Sequence, residues 1–205
     1  KIQQMVDLGG IEILMQGGLN PKLKIEWYED TFRRLKQAFP DLWLHALSAP
    51  EIVHIRKVSR LTLPETLRRL REAGLDSIPG GGAEILVDDV RRRLMKNKAS
   101  APEWIEVHEE AHRAGIRSTA TMMFGHIETR ADRMAHLALL RDLQDRTGGF
   151  TAFIGWTFQP GNTELGGTEV TTAEYLRTMA VARVFLDNFM NVQASWVTQG
   201  PKVGA

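Results

Sequence analysis

Six groups of residues in this 205-residue chain have types and spacings that could do chemistry. His108-Glu109-Glu110-Ala111-His112 sets two histidines four apart, so on a helix both would face one metal while the glutamate activates water. Gln16-Gly17-Gly18, and Gly80-Gly81-Gly82 leading into Ala83-Glu84, combine glycines with a polar or acidic neighbour. Glycine lets backbone N–H and C=O groups approach a ligand with no side chain in the way. Ser48 with Glu51, and Gly125-His126, add a hydroxyl, a carboxylate and an imidazole that could bind hydroxyls, an amino group or a cation, although Glu51 reads equally as a carboxylate capping its own helix. Thr119 and Thr121 would share one face of an extended segment with Met123, because side chains in a strand alternate.

Composition narrows the chemistry further. The chain has no cysteine, so it offers no thiolate ligand, disulfide or cysteine nucleophile. A net charge of +1 gives no electrostatic footprint for nucleic acid or an anionic membrane, and no apolar run is long enough to cross a bilayer. A small-molecule partner and a cytoplasmic location are the expectations, with no nucleic-acid or membrane partner. Oligomeric state is not legible. Lys1 opens directly on a helical pattern, and the last five residues follow a strand-like run. The chain is therefore expected to be truncated at both ends, a single domain over residues 1–205.

The elements that must position these groups alternate between short β-type runs and longer helical ones, the pattern of parallel strands joined by crossover helices. Strands are expected at Glu12–Gln16, Leu42–Leu47, Ser77–Pro79, Arg117–Phe124, Thr151–Phe158 and Val192–Val197. Reciprocal caps are expected at Thr62 with Glu65, Ser100 with Glu103, Thr129 with Asp132 and Thr171 with Glu174. The following helices should stop at Gly74 and Gly148. Small polar residues on one face of two strands (Thr119 and Thr121; Gln193 and Ser195) suit a wet barrel interior, so the expected fold is α/β, a partial TIM-type (β/α) barrel of about six parallel strands.

In such folds chemistry gathers at the carboxyl ends of the strands. Gln16-Gly17-Gly18, Ser48 to Glu51, Gly80 to Glu84, Phe124 to Glu128, Phe158 to Thr163 and Thr198 to Gly200 all fall there. The histidine pair does not. Its segment carries Trp104, Ile105 and Ala111 and reads as an amphipathic helix on the outer wall, with no third ligand evident, so the zinc pattern reads as a chance match and no metal ligand is assigned. His45, His54 and His136 read as structural, and Trp156, Phe158 and Trp196 as either core or walls for a purine-like ligand.

Several of these runs together resemble one family. Gln16-Gly17-Gly18-Leu19-Asn20-Pro21, the stretch from Asp76 to Leu86, Thr121 to His126, Gly149 to Phe153 with Phe158 to Thr163, and Gln193 to Trp196 resemble the menaquinone-pathway branch of the radical S-adenosylmethionine superfamily. Its members cyclise dehypoxanthine futalosine or, in the sister enzymes, make aminofutalosine. The resemblance covers the whole chain and favours the cyclases through the Phe158 to Thr163 stretch.

The resemblance implies a radical SAM barrel with its first strand missing, S-adenosylmethionine as cosubstrate, a [4Fe-4S] cluster and an external electron donor. It implies that the cosubstrate is cleaved to methionine and a 5′-deoxyadenosyl radical, which takes a ribose hydrogen from dehypoxanthine futalosine. The sugar radical then attacks the substrate's aromatic ring, and loss of an electron and a proton gives the spirocycle. It places Gln16, Gly17, Gly18 and Glu84 at the cosubstrate, and Ser48, Glu51, Thr119, Thr121 and His126 at the substrate. No residue is assigned as the final base. The family's three cluster cysteines are absent, so the chain is expected to be an inactive fragment. A zinc hydrolase and a non-catalytic ligand-binding barrel are the readings from other classes.

Overall fold

The computed structural model describes residues 1–94, 98–161 and 163–204. Helices α1 (Ile2–Asp7), α2 (Ile25–Ala38), α3 (Ala49–Ser59), α4 (Leu63–Ala73), α5 (Asp88–Leu94), α6 (Ala101–Arg113), α7 (Arg130–Thr147), α8 (Thr172–Phe185), α9 (Trp196–Gln199) and α10 (Pro201–Gly204) alternate with six strands. The strands are β1 (Glu12–Met15), β2 (Trp43–Ala46), β3 (Ser77–Ile78), β4 (Arg117–Phe124), β5 (Phe150–Thr157) and β6 (Asn191–Ala194). They form one sheet in sequence order, with parallel pairing at β1–β2, β2–β3, β3–β4 and β5–β6. Consecutive parallel strands linked by helices give the expected α/β class, a partial barrel-type sheet.

The chain divides into two compact units, one of residues 1–82 with 103–118 and one of 83–102 with 119–205. In the first, α2 buries Ile25, Tyr28 and Phe32, and α4 buries Leu63, Leu67 and Leu70, each at helical spacing. These stripes and the fully buried Leu44, Ala46, Ile52, Ile55 and Ile78 make its core. Asp76 ties β2 to the approach of β3, accepting the Leu44 N–H at 2.7 Å and the Lys36 ammonium at 2.6 Å. β3 is two residues long because Pro79 has no N–H to offer a ladder.

Strand β4, which belongs to the second unit from Thr119 on, alternates strictly. Ser118, Ala120, Met122 and Phe124 are buried while Thr119, Thr121 and Met123 are half-buried, so the threonines do share a face. Leu137, Leu140 and Leu143 of α7 with Phe150, Phe153, Tyr175 and Phe189 supply the apolar packing. Gln144 holds the start of β5, accepting the Phe150 N–H at 2.9 Å and donating to its carbonyl at 3.1 Å.

The Thr62, Thr129 and Thr171 hydroxyls cap their helices as expected, and the carboxylate half forms at one of the three. Thr129 and Asp132 cap each other reciprocally, whereas at Thr62 and Thr171 the hydroxyl half forms and the carboxylates of Glu65 and Glu174 turn to Arg68 and Arg133. Gly148 ends α7 in the left-handed region at φ 59°, and Gly74 ends α4 at φ 120°. The expected last strand, Val192–Val197, is too long. Strand β6 stops at Ala194, since the Ser195 carbonyl accepts the N–H groups of Thr198 and Gln199 and the chain coils into α9. The β-branched Val197 and Thr198 therefore sit in a helix, local preference giving way to the turn. The second strand also ends early, at Ala46, because Leu47 takes φ 61° before the Ser48 helix start.

Candidate functional site

In the first unit the strand-end residues converge on one carboxylate. Glu51, only 4% exposed, lies in the first turn of α3. Its Oε2 accepts the Ser48 N–H at 2.8 Å and the Ser48 hydroxyl at 2.6 Å, which caps its own helix. Its Oε1 reaches across to the end of β1 and accepts the N–H groups of Gly17 at 2.7 Å and Gly18 at 3.0 Å. Both oxygens are thus committed to the protein, and the Ser48 proton with them. Gly18 needs glycine here, with φ at 74°.

The Gln16 side chain lies over Gly81. A Cβ on that glycine would stand 2.7 Å from Gln16 Nε2 and 3.6 Å from Ser48 Cβ, so the missing side chain makes room for the amide. Trp104 of α6 donates to the Gly81 carbonyl at 3.4 Å. Gln16, Gly17, Gly18, Ser48, Glu51 and Gly81 therefore form one cluster at the carboxyl ends of β1, β2 and β3.

In the second unit Glu84 follows the triple glycine in a left-handed conformation, φ 43°, that costs a non-glycine residue energy. Two contacts fix it there. The Glu84 carbonyl accepts the Met123 N–H at 3.0 Å, and the guanidinium of Arg91, 4% exposed, bonds the carbonyls on either side, those of Ala83 and Ile85, together with that of Ala99. The Glu84 side chain is 10% exposed, its Oε1 is 3.5 Å from Lys98 Nζ, and its Oε2 is buried with no hydrogen-bond partner among the described residues. A carboxylate oxygen buried without a donor is costly, and a ligand's hydroxyl or ammonium would satisfy it.

His126 is tied to backbone. Its Nδ1 lies 2.7 Å from the Ile127 nitrogen and 3.0 Å from Glu128 Oε2, and its Nε2 is 3.1 Å from the Met123 carbonyl. Burial lowers its pKa, with Glu128 opposing, so the ring is neutral. Glu128 accepts the N–H groups of Gly125 at 2.7 Å and His126 at 2.9 Å, and Arg133 pairs with it. The ring meets Phe158 edge to face. Beyond β5, Gln159 at 3.0 Å and Gln199 at 2.7 Å both donate to the Thr157 hydroxyl, while Asn162 of the same motif lies outside the described residues.

The zinc-like pair sits elsewhere. His108 Nδ1 at 2.9 Å and His112 Nε2 at 2.8 Å both address the hydroxyl of Ser118, on the helix-packed face of β4, and Glu109 pairs with Arg113 at 2.7 Å. Burial holds His108 well below its usual range and His112 down to about 4. Among the described residues no three metal-binding side chains cluster.

Residues 1–140 match the family model described as the radical SAM superfamily, and residues 147–205 match the CofH/MqnC C-terminal region. The chain belongs to the radical SAM superfamily. Across its whole length it is 48% identical to the cyclic dehypoxanthine futalosine synthase of Halalkalibacterium halodurans, of which it covers 55%. It is 47% identical to the enzyme of that name from Streptomyces coelicolor over 98% of this chain and 51% of that one. The aminodeoxyfutalosine synthase of Thermus thermophilus is 45% identical over 98% of this chain and 56% of that one. The chain therefore spans about half the length of these curated relatives. Among solved structures, Streptococcus suis SuiB matches 95% of this chain and 41% of its own with a TM-score of 0.63 at 12% identity, a likeness of fold alone.

Superfamily membership implies S-adenosylmethionine and a [4Fe-4S] cluster. The two fit this chain differently. A cluster needs thiolates and the chain contains no cysteine, so no residue here can ligate it. S-Adenosylmethionine asks instead for acceptors of its amino and hydroxyl groups, and the buried Glu84 oxygen without a hydrogen-bond partner among the described residues is one such acceptor.

Sequence reasoning missed Arg91 and Lys98. Arg91 stands in Asp88-Asp89-Val90-Arg91-Arg92-Arg93, which reads as a solvated charge run. The available signal was position, one residue after the buried Val90 and four after Val87 on a short helix.

Proposed function

We propose that this chain is the barrel portion of a menaquinone-pathway cyclase that converts dehypoxanthine futalosine to its cyclic form. The observation that carries the reading is 48% identity, over every residue of the chain, to a relative bearing that name. In this reading Gln16, Gly17 and Gly18 receive the amino-acid part of S-adenosylmethionine; Glu84, whose Oε2 has no partner among the described residues, is by itself a candidate cosubstrate carboxylate. Thr119 and Thr121 face the substrate from β4. Ser48 and Glu51 shape the site without touching substrate, because their polar atoms are already engaged. His126 contributes its ring rather than an open nitrogen, both nitrogens being bonded to backbone. The cluster's thiolates and the electron donor come from outside these 205 residues. Radical generation belongs to the cluster and cosubstrate; these residues bind, orient and exclude water.

The test joins the chain to the cysteine-bearing portion of the Halalkalibacterium relative. The joined protein is reconstituted anaerobically and supplied with dithionite, S-adenosylmethionine and dehypoxanthine futalosine. Formation of 5′-deoxyadenosine with the cyclised product is the expected result. A protein that folds, holds its cluster and instead makes aminofutalosine from that enzyme's substrates assigns the chain to the sister activity. One that does neither removes the enzymatic reading.

A further inference from the structure

Glu51 does more than cap α3. A helix cap needs one carboxylate oxygen, and here Oε2 alone meets Ser48. The other oxygen is spent 34 and 33 residues back along the chain, on two successive backbone N–H groups at the end of β1. A trans peptide points its N–H and its C=O in opposite directions. With the N–H groups of Gly17 and Gly18 drawn onto Glu51, the carbonyls of the same two peptides, those of Gln16 and Gly17, must face away from it. The turn therefore presents acceptors on its open edge, with neither glycine N–H left to attract an anion. Two consecutive glycine amides would otherwise form an anion-binding nest, and Glu51 is the built-in anion that fills it.

We infer that Glu51 is a positioning residue which, by occupying the amide side of the Gly17–Gly18 turn, commits the opposite side to binding an ammonium group. This rests on the reading that the turn receives the amino group of S-adenosylmethionine. The side chain is buried and accepts two hydrogen bonds from the turn, so the arrangement exists before any ligand arrives. Replacement by glutamine keeps the shape but turns an NH2 donor or a weaker amide oxygen toward two N–H donors. The peptides would then be free to rotate and the acceptor edge would blur.

The experiment measures binding of S-adenosylmethionine and of 5′-methylthioadenosine, which lacks the amino-acid portion, to the full chain. The unaltered protein should prefer S-adenosylmethionine. Glu51→Gln should reduce that affinity about tenfold while 5′-methylthioadenosine stays within about twofold. Thr62→Ala, which removes the cap of the neighbouring α4, should lower the melting temperature and leave the preference intact, separating positioning from general stability. Equal loss of both ligands in Glu51→Gln, or no loss, overturns the inference while the functional reading stands. No preference in the unaltered protein overturns the inference, while the functional reading is decided separately by the joined protein. A measurement on the unaltered chain covers the case in which the variant does not fold. The amides of Gly17 and Gly18 should be protected from hydrogen exchange without ligand and gain nothing when S-adenosylmethionine is added. Protection that appears only with the ligand would overturn the inference.

Discussion

Arg133 donates from Nε to Oε1 of Glu128 at 2.9 Å, the same oxygen that accepts the Gly125 N–H. The Glu128 side chain is fully buried and the arginine nearly so, at 14% exposure. A buried carboxylate that loses its cation keeps its desolvation penalty, which makes breaking such a pair far more costly than the pair is worth. Arg133 also lies 4.8 Å over the Phe124 ring and reaches Glu174 and Thr178. Arg133→Met should therefore destabilise the chain by about 3 kcal/mol in urea unfolding. A loss under about 0.5 kcal/mol would show that the pair is solvated in solution.

The buried histidines set an acid limit on stability. Burial lowers His136 to about 3, with Arg91 adding to the effect and the Thr121 carbonyl opposing it, and lowers His112 to about 4; His108 is lowered too. Unfolded, these rings titrate near 6.5, so below that pH the unfolded chain binds more protons than the folded one. Their contribution is whole above about pH 6.5. It falls as pH drops toward 4 and 3, by up to about 1.4 kcal/mol per pH unit for each ring. Urea midpoints measured from about pH 7.5 to pH 4.5 should decline, and His136→Gln should flatten the decline even if it lowers the plateau.

Two glycines at strand ends should respond oppositely to alanine. At Gly125 φ is 90° and a Cβ would stand 2.0 Å from Val170 Cγ2, so Gly125→Ala should cost about 1–3 kcal/mol in stability. At Gly81 the obstacle is only the free end of the Gln16 side chain, which can swing aside. Gly81→Ala should change the melting temperature little and weaken S-adenosylmethionine binding, because Gln16 is displaced. Calorimetry of both variants with one ligand titration distinguishes the cases.

Strand β4 was legible because its eight residues alternate without a break, and the Thr129 cap because its two partners lie three residues apart. What local pattern cannot show is contact at a distance. Glu51 reads from sequence either as a ligand-binding group or as a cap of its own helix; the cap with Ser48 forms, but nothing near these residues in sequence reveals the Gly17 and Gly18 amides that claim the other oxygen. His126 was the one histidine at a strand end, yet its own next residue takes one nitrogen and Met123 the other. Val192–Val197 looked like continuous strand from its β-branched residues, and the bend at Ser195, where Tyr175 Oη accepts the backbone N–H at 2.8 Å, depends on a helix 20 residues away.

The last prediction concerns Glu84, where stability and binding should move in opposite directions. Among the described residues its Oε2 lies buried without a hydrogen-bond partner, and Lys98, 42% exposed, is 3.5 Å from the other oxygen, so the charge is poorly compensated there. Glu84→Gln removes that charge and keeps the volume, and its amide can still donate or accept. The folded chain should therefore be as stable as the original or more so, with an unchanged or higher urea midpoint. The backbone at φ 43° is held by the Arg91 and Met123 bonds, which the substitution leaves in place, so the loop should keep its conformation. Affinity for S-adenosylmethionine should fall by about 1.5–3 kcal/mol, the worth of a charge-assisted hydrogen bond to its amino or hydroxyl groups. Arg91→Lys supplies the contrast. It keeps a cation but cannot bond the carbonyls on both sides of Glu84 and that of Ala99 together, so stability and affinity should fall in parallel. A Glu84→Gln chain that loses stability and binds the cosubstrate as before would mean that the carboxylate serves the fold through Lys98, and Glu84 would leave the site.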